Sequence, residues 1–392
     1  MPAEAAPARQ SPRFLWLFAL AWAGGAVAYV PFLTILLPLR VVAMSGGDGV
    51  RLLGLITFCG AIAASVGGIL FGWLSDRSKS RRPWIATGLV VSALVLVAMP
   101  LATTPAAILT FVVAWQVALN MMLGPLSAWA ADHVPPEQTG FLGGLMALSP
   151  ALGALSGVIV TIPGLAGPDQ RLGLVALMVV ACVSPALLLL RPKPAAPRAA
   201  FQHAPRPPRR DAVMMWTARL FVQIAEAALF AYLLLYFRSL DPAVAESHIA
   251  RLFSAVLAAA FPIAVILGRL ADRSARPALP LACCALLASL GLAAMAQASS
   301  LQQATIAYVL FGLSTTVFLA LHSGQTLRVL PSPEHRGRDL GLFNLTNTVP
   351  SLIMPWLTIA IVPTRGFATL FGVLAVLALA ASAILFALRK FD

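Results

Sequence analysis

The chain has 392 residues, of which 60% are hydrophobic and only 10% charged, with a mean hydropathy of +0.89. A soluble domain cannot bury so much apolar surface, so the composition points to a chain that lives in a membrane. The net charge of +13 would suit a nucleic-acid partner if it formed one basic face, but the basic residues lie scattered in short turns and tails between apolar runs.

The N-terminal segment is short and polar, with Arg9 and Arg13 ahead of a first apolar run over about residues 14–43. A cleaved signal peptide carries an apolar region of only about 7–15 residues, so this run is expected to be a retained span. Further runs follow at about 51–75, 83–101, 105–131, 139–163 and 171–190. Residues 191–212 then hold six prolines, six basic residues and one aromatic, the composition of an extended, solvated tether. Beyond it lie runs at about 213–238, 248–271, 277–298, 302–330, 337–362 and 366–388. At roughly 20 residues per crossing this predicts twelve spans, six on each side of the tether. The expected organisation is a bundle at 1–190, a cytoplasmic linker at 191–212 and a second bundle at 213–392.

With the N-terminus in the cytoplasm, cytoplasmic segments hold 20 Lys and Arg, the opposite side holds 6, and Arg219 alone falls inside a span. That bias follows the positive-inside rule, so orientation and attraction to anionic lipid headgroups account for the basicity. Both termini are expected in the cytoplasm, in a bacterial-type inner membrane, with lipid and no nucleic acid as the macroscopic partner. Cys59, Cys182, Cys283 and Cys284 lie in apolar runs without metal-ligand spacing. No metal or other cofactor is expected.

The two halves repeat each other. Gly72-Trp73-Leu74-Ser75-Asp76-Arg77-Ser78 returns 196 positions later as Gly268-Arg269-Leu270-Ala271-Asp272-Arg273-Ser274. Pro136-Glu137, Gly140 and Gly144 return 197 positions later as Pro333-Glu334, Gly337 and Gly341. Such duplication marks carriers whose halves rock about a central site.

The G-x-L-S/A-D-R-S turn between spans 2 and 3, and again between spans 8 and 9, resembles the signature loop of the major facilitator superfamily, and the six-plus-six plan is similar across the whole chain. The resemblance implies an all-α membrane protein of twelve transmembrane helices in two pseudo-symmetric six-helix bundles, usually monomeric. Asp76 through Trp84, with Arg81-Arg82-Pro83, resembles the glycoside-pentoside-hexuronide and sucrose-type proton-sugar symporters, as does the stretch Arg338 to Asn347; the turn before Arg81 is shorter here. The family further implies that Asp76 caps the start of span 11 near Arg336 and Arg338, closing a gate. An Asp at one helix end can indeed accept hydrogen bonds from the N-terminal amides of another, whose dipole favours negative charge. By pseudo-symmetry Asp272 and Arg273 face the start of span 5. Thr139 and Phe141 stand there in place of arginines, so this second latch is expected to be weaker. Asp76 and Arg77 are read as gate residues, whereas Arg81, Arg82 and Arg276 are assigned to the charge bias.

A charge at mid-bilayer is costly and usually functional. Glu226 lies about 13 residues into span 7, roughly 20 Å from its end in a core about 30 Å thick. Arg219, Gln223 and Glu226 share one helical face. Burial and a nearby cation pull a carboxyl's proton affinity in opposite directions, which suits a proton-coupling group. The alternative is a structural Arg219–Glu226 pair. Gln116 and Asn120 on span 4, Gln223 on span 7, His322 on span 10, and Asn344 and Asn347 on span 11 are the candidate solute contacts, with interhelical hydrogen bonding as the alternative. No P-loop, H-E-x-x-H or G-x-S-x-G motif appears, so no enzyme is expected. The functional expectation is a secondary active transporter of a small polar solute, a sugar or glycoside moved with protons. The alternatives are a proton-driven exporter of amphipathic compounds and a non-transporting sensor or assembly factor.

Overall fold

The computed structural model describes residues 9–45, 49–190, 209–244, 246–274, 276–330 and 333–388. Among these the chain is helical almost throughout and has no strand. In order, the helices are α1 (Pro12–Pro31), a π-helical turn (Phe32–Leu36), α2 (Leu37–Ser45), α3 (Gly49–Arg77), α4 (Arg82–Ala98), α5 (Pro105–His133), α6 (Pro136–Met146) and α7 (Leu148–Val160). There follow α8 (Gln170–Leu189), α9 (Arg209–Leu240), α10 (Glu246–Arg273), α11 (Leu279–Gln297), α12 (Leu301–Thr326) and α13 (Arg336–Ala387).

Hydroxyl caps and prolines set several of these starts. Ser11 accepts from the Phe14 amide at 3.2 Å ahead of Pro12, and Thr104 accepts from the Ala107 amide at 3.2 Å ahead of Pro105. Each satisfies an amide with no partner inside its helix, while proline at the first helical position forfeits nothing. Among the described residues, eleven helical stretches are long and apolar enough to cross a membrane. They coincide with eleven of the twelve expected runs. The other run, 337–362, is helical too, as the first part of α13. That helix breaks at Gly366, with φ 72° and ψ 175°, a conformation open to glycine because it lacks a Cβ. The chain is thus a multi-pass membrane protein. Of the expected linker, residues 191–208 lie outside the described residues, and α9 already begins at Arg209.

Internal contacts divide the chain into two compact units. The first comprises Met1–Pro135, Leu148–Ala204 and Ser332–Thr348; the second comprises Pro136–Ala147, Pro205–Pro331 and Val349–Asp392. Each unit therefore takes a segment from the other sequence half. In the first, α1 packs on α7 and α8, and α3 and α4 pack on α5, around fully buried Phe18, Ile85 and Trp115. In the second, α10 and α12 pack on α6, and α11 on α12. Tyr236, Phe237, Phe311 and Phe371 fill its core, with the Tyr236 and Phe371 rings 4.7 Å apart. Outward-facing Leu94, Leu188 and Val376 are exposed, as lipid-facing side chains should be. Since lipid tails are as apolar as leucine, close packing and hydrogen bonds, rather than escape from water, hold such helices together.

Candidate functional site

In the first unit the end of α3 meets the start of α13. Asp76 accepts from the Gly337 amide through Oδ1 and from the Arg338 amide through Oδ2, both at 3.0 Å. The first amides of a helix have no internal partner, and the helix dipole favours a carboxylate there. Arg81, in the turn before α4, places Nη2 2.6 Å from Asp76 Oδ1 and Nε 2.9 Å from Asp132 Oδ2 at the end of α5. Arg336 reaches Asp132 Oδ1 at 3.4 Å. The approach is possible because Gly72 and Gly337 lie backbone to backbone: a Cβ on either would overlap the main chain of the other.

The second unit repeats the arrangement with other parts. Asp272, at the end of α10, accepts from the Gly140 and Phe141 amides at the start of α6, each at 2.7 Å. Gly140 and Gly268 make the matching backbone approach. The cation comes from the turn after α12. Arg328 places Nη2 2.8 Å from Asp272 Oδ1, donates from Nε to Thr139 Oγ1 at 2.7 Å, and also donates to the Pro136 carbonyl. Burial lowers the Arg328 pKa, while the Asp272 and Glu137 carboxylates oppose that shift. The sequence predicts a weaker second latch because Thr139 and Phe141 stand where the first has arginines; here a cation arrives from α12 instead.

Arg77 and Arg273, which follow the two aspartates, are exposed. Arg77 lies over the Trp73 ring at 5.9 Å. Arg338 takes part through its backbone amide, while its side chain bonds Asp339 Oδ1 from Nε at 3.0 Å and Nη2 at 2.9 Å. Sequence reasoning thus missed Arg81, Asp132 and Arg328. Arg81 looked like one more positive-inside charge, and only its place just after the repeated Asp-Arg-Ser hinted otherwise. Arg82, also assigned to the charge bias, stacks over Trp129 at 5.3 Å and donates to the Leu190 carbonyl where α8 ends.

Within the second unit, α9 carries Arg219, Gln223 and Glu226, all half-buried. Arg219 Nη1 donates to Ser323 Oγ at 3.2 Å and lies 3.3 Å from His322 Nδ1. His322 is fully buried, with Nε2 2.9 Å from the Met215 carbonyl. A carbonyl only accepts and a guanidinium only donates, so the network assigns the proton to Nε2 and leaves Nδ1 as acceptor. His322 is then a neutral clamp between α9 and α12. Glu226 has no hydrogen bond or ion pair among the described residues; the Arg219 charge acts on it through space.

Polar groups also gather in the first unit. Asn120 and Gln116 are buried on α5, and Asn120 Nδ2 donates to the Gln116 carbonyl at 2.9 Å. On α13, Asn347 Nδ2 donates to Asn344 Oδ1 at 2.7 Å, and Thr348 Oγ1 lies 2.8 Å from Ser65 Oγ of α3. A Cβ at Gly68 would sit 3.5 Å from Asn120 Oδ1 and 3.7 Å from Asn344 Nδ2, so both asparagines look onto one glycine. The cluster is neutral and rich in amides and hydroxyls, the groups that suit a hydroxylated solute. It does not include Gln223 or His322, which belong to the second unit.

A family model described as the Major Facilitator Superfamily matches residues 3–158 and 215–392. No curated protein matches the chain. Among solved structures, the human organic anion transporter MFSD10 (TETRAN) is similar at TM-score 0.73 and 14% identity, with 96% of this chain and 100% of that chain covered. The proton:xylose symporter XylE bound to 6-bromo-6-deoxy-D-glucose is similar at TM-score 0.72 and 14% identity, with 96% and 95% covered. A bacterial homologue of the iron transporter ferroportin, in an outward-facing state with soaked iron, is similar at TM-score 0.74 and 14% identity, with 96% and 98% covered. Such likeness establishes a shared fold.

Proposed function

Because the chain belongs to the major facilitator superfamily, we propose that it is a secondary active transporter that carries a small polar solute, a sugar or glycoside, together with protons by alternating access. One observation carries the reading: Glu226, a carboxylate deep in a transmembrane helix, has no ion-pair or hydrogen-bond partner among the described residues. An ionisable group held at membrane depth without a structural partner is where a carrier takes up and releases a proton. The neutral amide and hydroxyl cluster around Gly68 supports a hydroxylated solute. The two aspartate latches act as gates, with Arg81 and Arg328 as their cations. Sequence duplication supports two six-helix halves joined through 191–212, with both termini in the cytoplasm of a bacterial-type inner membrane.

The test is uptake into proteoliposomes under an imposed proton gradient, across a sugar panel and then a panel of amphipathic drugs. Gradient-dependent sugar accumulation is expected. Accumulation of drugs alone would favour the exporter, and accumulation of nothing would leave a sensor or assembly factor.

A further inference from the structure

One buried side chain beside the second latch lacks hydrogen-bond partners among the described residues. Gln325 of α12 is fully buried, yet neither its Oε1 nor its Nε2 has a hydrogen-bond partner among the described residues. A buried amide in that condition opposes the conformation that buries it. Its location says which conformation that is. Leu321, four residues before it, reaches within 3.3 Å of where a Cβ on Gly268 would sit, and Arg328, three residues after it, pairs with Asp272. The Arg328 amide donates to the Gln325 carbonyl at 3.0 Å, so the helical turn continues that far. Residues at this spacing share a face. Gln325 therefore leaves α12 between the residues that meet Gly268 and Asp272 of α10, on the face beside the latch, and next to His322, which bonds Met215 of α9.

The repeat supplies an independent comparison. At the offset of 197 that relates Pro136-Glu137 to Pro333-Glu334, the counterpart of Gln325 is Ala128, which is also fully buried. One copy of the unit thus fills this core position with a methyl group and the other with an unsatisfied amide. Packing alone does not call for the amide.

We infer that Gln325 is a built-in counterweight in the Asp272 latch: its buried amide keeps the closed state shallow enough to reopen. Two charge-assisted amide bonds, a buried cation and a glycine contact draw α6 onto α10, and opening lets the Gln325 amide reach hydrogen-bonding partners. The inference rests on the alternating-access reading for its purpose, but its test does not need a transported solute.

The experiment is hydrogen–deuterium exchange of the full-length protein in lipid nanodiscs, read on the amides of Gly140 and Phe141, with Gln325→Met as a near-isosteric variant and Gln325→Ala as the residue of the other repeat. Gln325→Met is expected to slow exchange of these two amides roughly tenfold, the effect of removing an unmet buried polar group, and to raise the thermal midpoint. Gln325→Ala should shift both in the same direction by less, because it leaves a cavity. The amides of Gly337 and Arg338 should not change. Unchanged or faster exchange at Gly140 and Phe141 in Gln325→Met, or a lowered midpoint, would overturn the inference, since a satisfied amide is missed when removed. Failure of the uptake assay would instead count against the transport reading and leave this result standing.

Discussion

The substitution Asp76→Asn tests the first latch at the level of single hydrogen bonds. Asp76 Oδ1 receives both the Gly337 amide and Arg81 Nη2, while Oδ2 receives the Arg338 amide. Asparagine offers one acceptor oxygen. If that oxygen stays toward Gly337 and Arg81, its NH2 group faces the Arg338 N–H, donor against donor. The loss is then one hydrogen bond to a charged acceptor, about 1.5–3 kcal/mol. To this is added a weakened contact with Arg81, held to about 1 kcal/mol, the net worth of an ordinary hydrogen bond, because Asp132 still neutralises that guanidinium. A total of roughly 2–4 kcal/mol corresponds to an opening equilibrium raised about 30- to 1,000-fold, and exchange of the Gly337 and Arg338 amides should accelerate by that factor. Hydrogen–deuterium exchange on a peptide spanning 336–340 reads it directly, with the Gly140 and Phe141 amides as the internal control. Unchanged exchange in a folded, expressed Asp76→Asn protein would refute the account of Asp76 as a helix-capping latch. The same change at Asp272 should free the Gly140 or the Phe141 amide in the same way, since its two oxygens accept one each, and faster exchange on that side with the Gly337 and Arg338 amides unchanged is the readout.

Replacing Arg328 by Met removes the cation from a buried pair and should destabilise the second latch by about 3–5 kcal/mol. Faster exchange confined to the Gly140 side is the measurement, and an effect equal on both latches would contradict the assignment. A methyl group added by Gly72→Ala meets the Gly337 backbone, which cannot swing aside as a side chain would, so a penalty of about 1–3 kcal/mol is expected. A thermal midpoint unchanged from wild type would show that the contact is not tight. Glu226→Gln should abolish proton-driven accumulation while solute exchange across a preset solute gradient continues, and accumulation that survives the change would exclude Glu226 as the coupling acid. His322→Leu should lower thermal stability by leaving the Met215 carbonyl and Arg219 short of a partner, each worth about 1–3 kcal/mol; a loss of proton coupling without loss of stability would instead make His322 a working titratable group.

Much of the architecture was legible because it rests on period and composition. Runs of about 20 apolar residues must be helices in lipid, where every backbone polar group needs an internal partner. Ser11-Pro12 and Thr104-Pro105 mark helix starts through chemistry confined to one turn. The pair Asp76 and Gly337 was also within reach, because the duplicated motif carried a family resemblance that joined the end of span 2 to the start of span 11. The partition of contacts was not legible. Packing draws Pro136–Ala147 into one unit and Ser332–Thr348 into the other, across the halves that the repeat suggests, since contact strength depends on which glycines let backbones touch.

The sequence by itself determined the helices, their number to within one, the duplication and the presence of Glu226 deep in a span. Only the tertiary structure decided which arginine serves which aspartate, that His322 is the residue beside Arg219, and that Gln325 is buried without a partner among the described residues. The reason is physical: hydropathy and helix capping are local properties of adjacent residues, whereas an ion pair between Asp272 and Arg328, or an amide shut inside a helix contact, depends on side-chain directions from segments far apart in the chain.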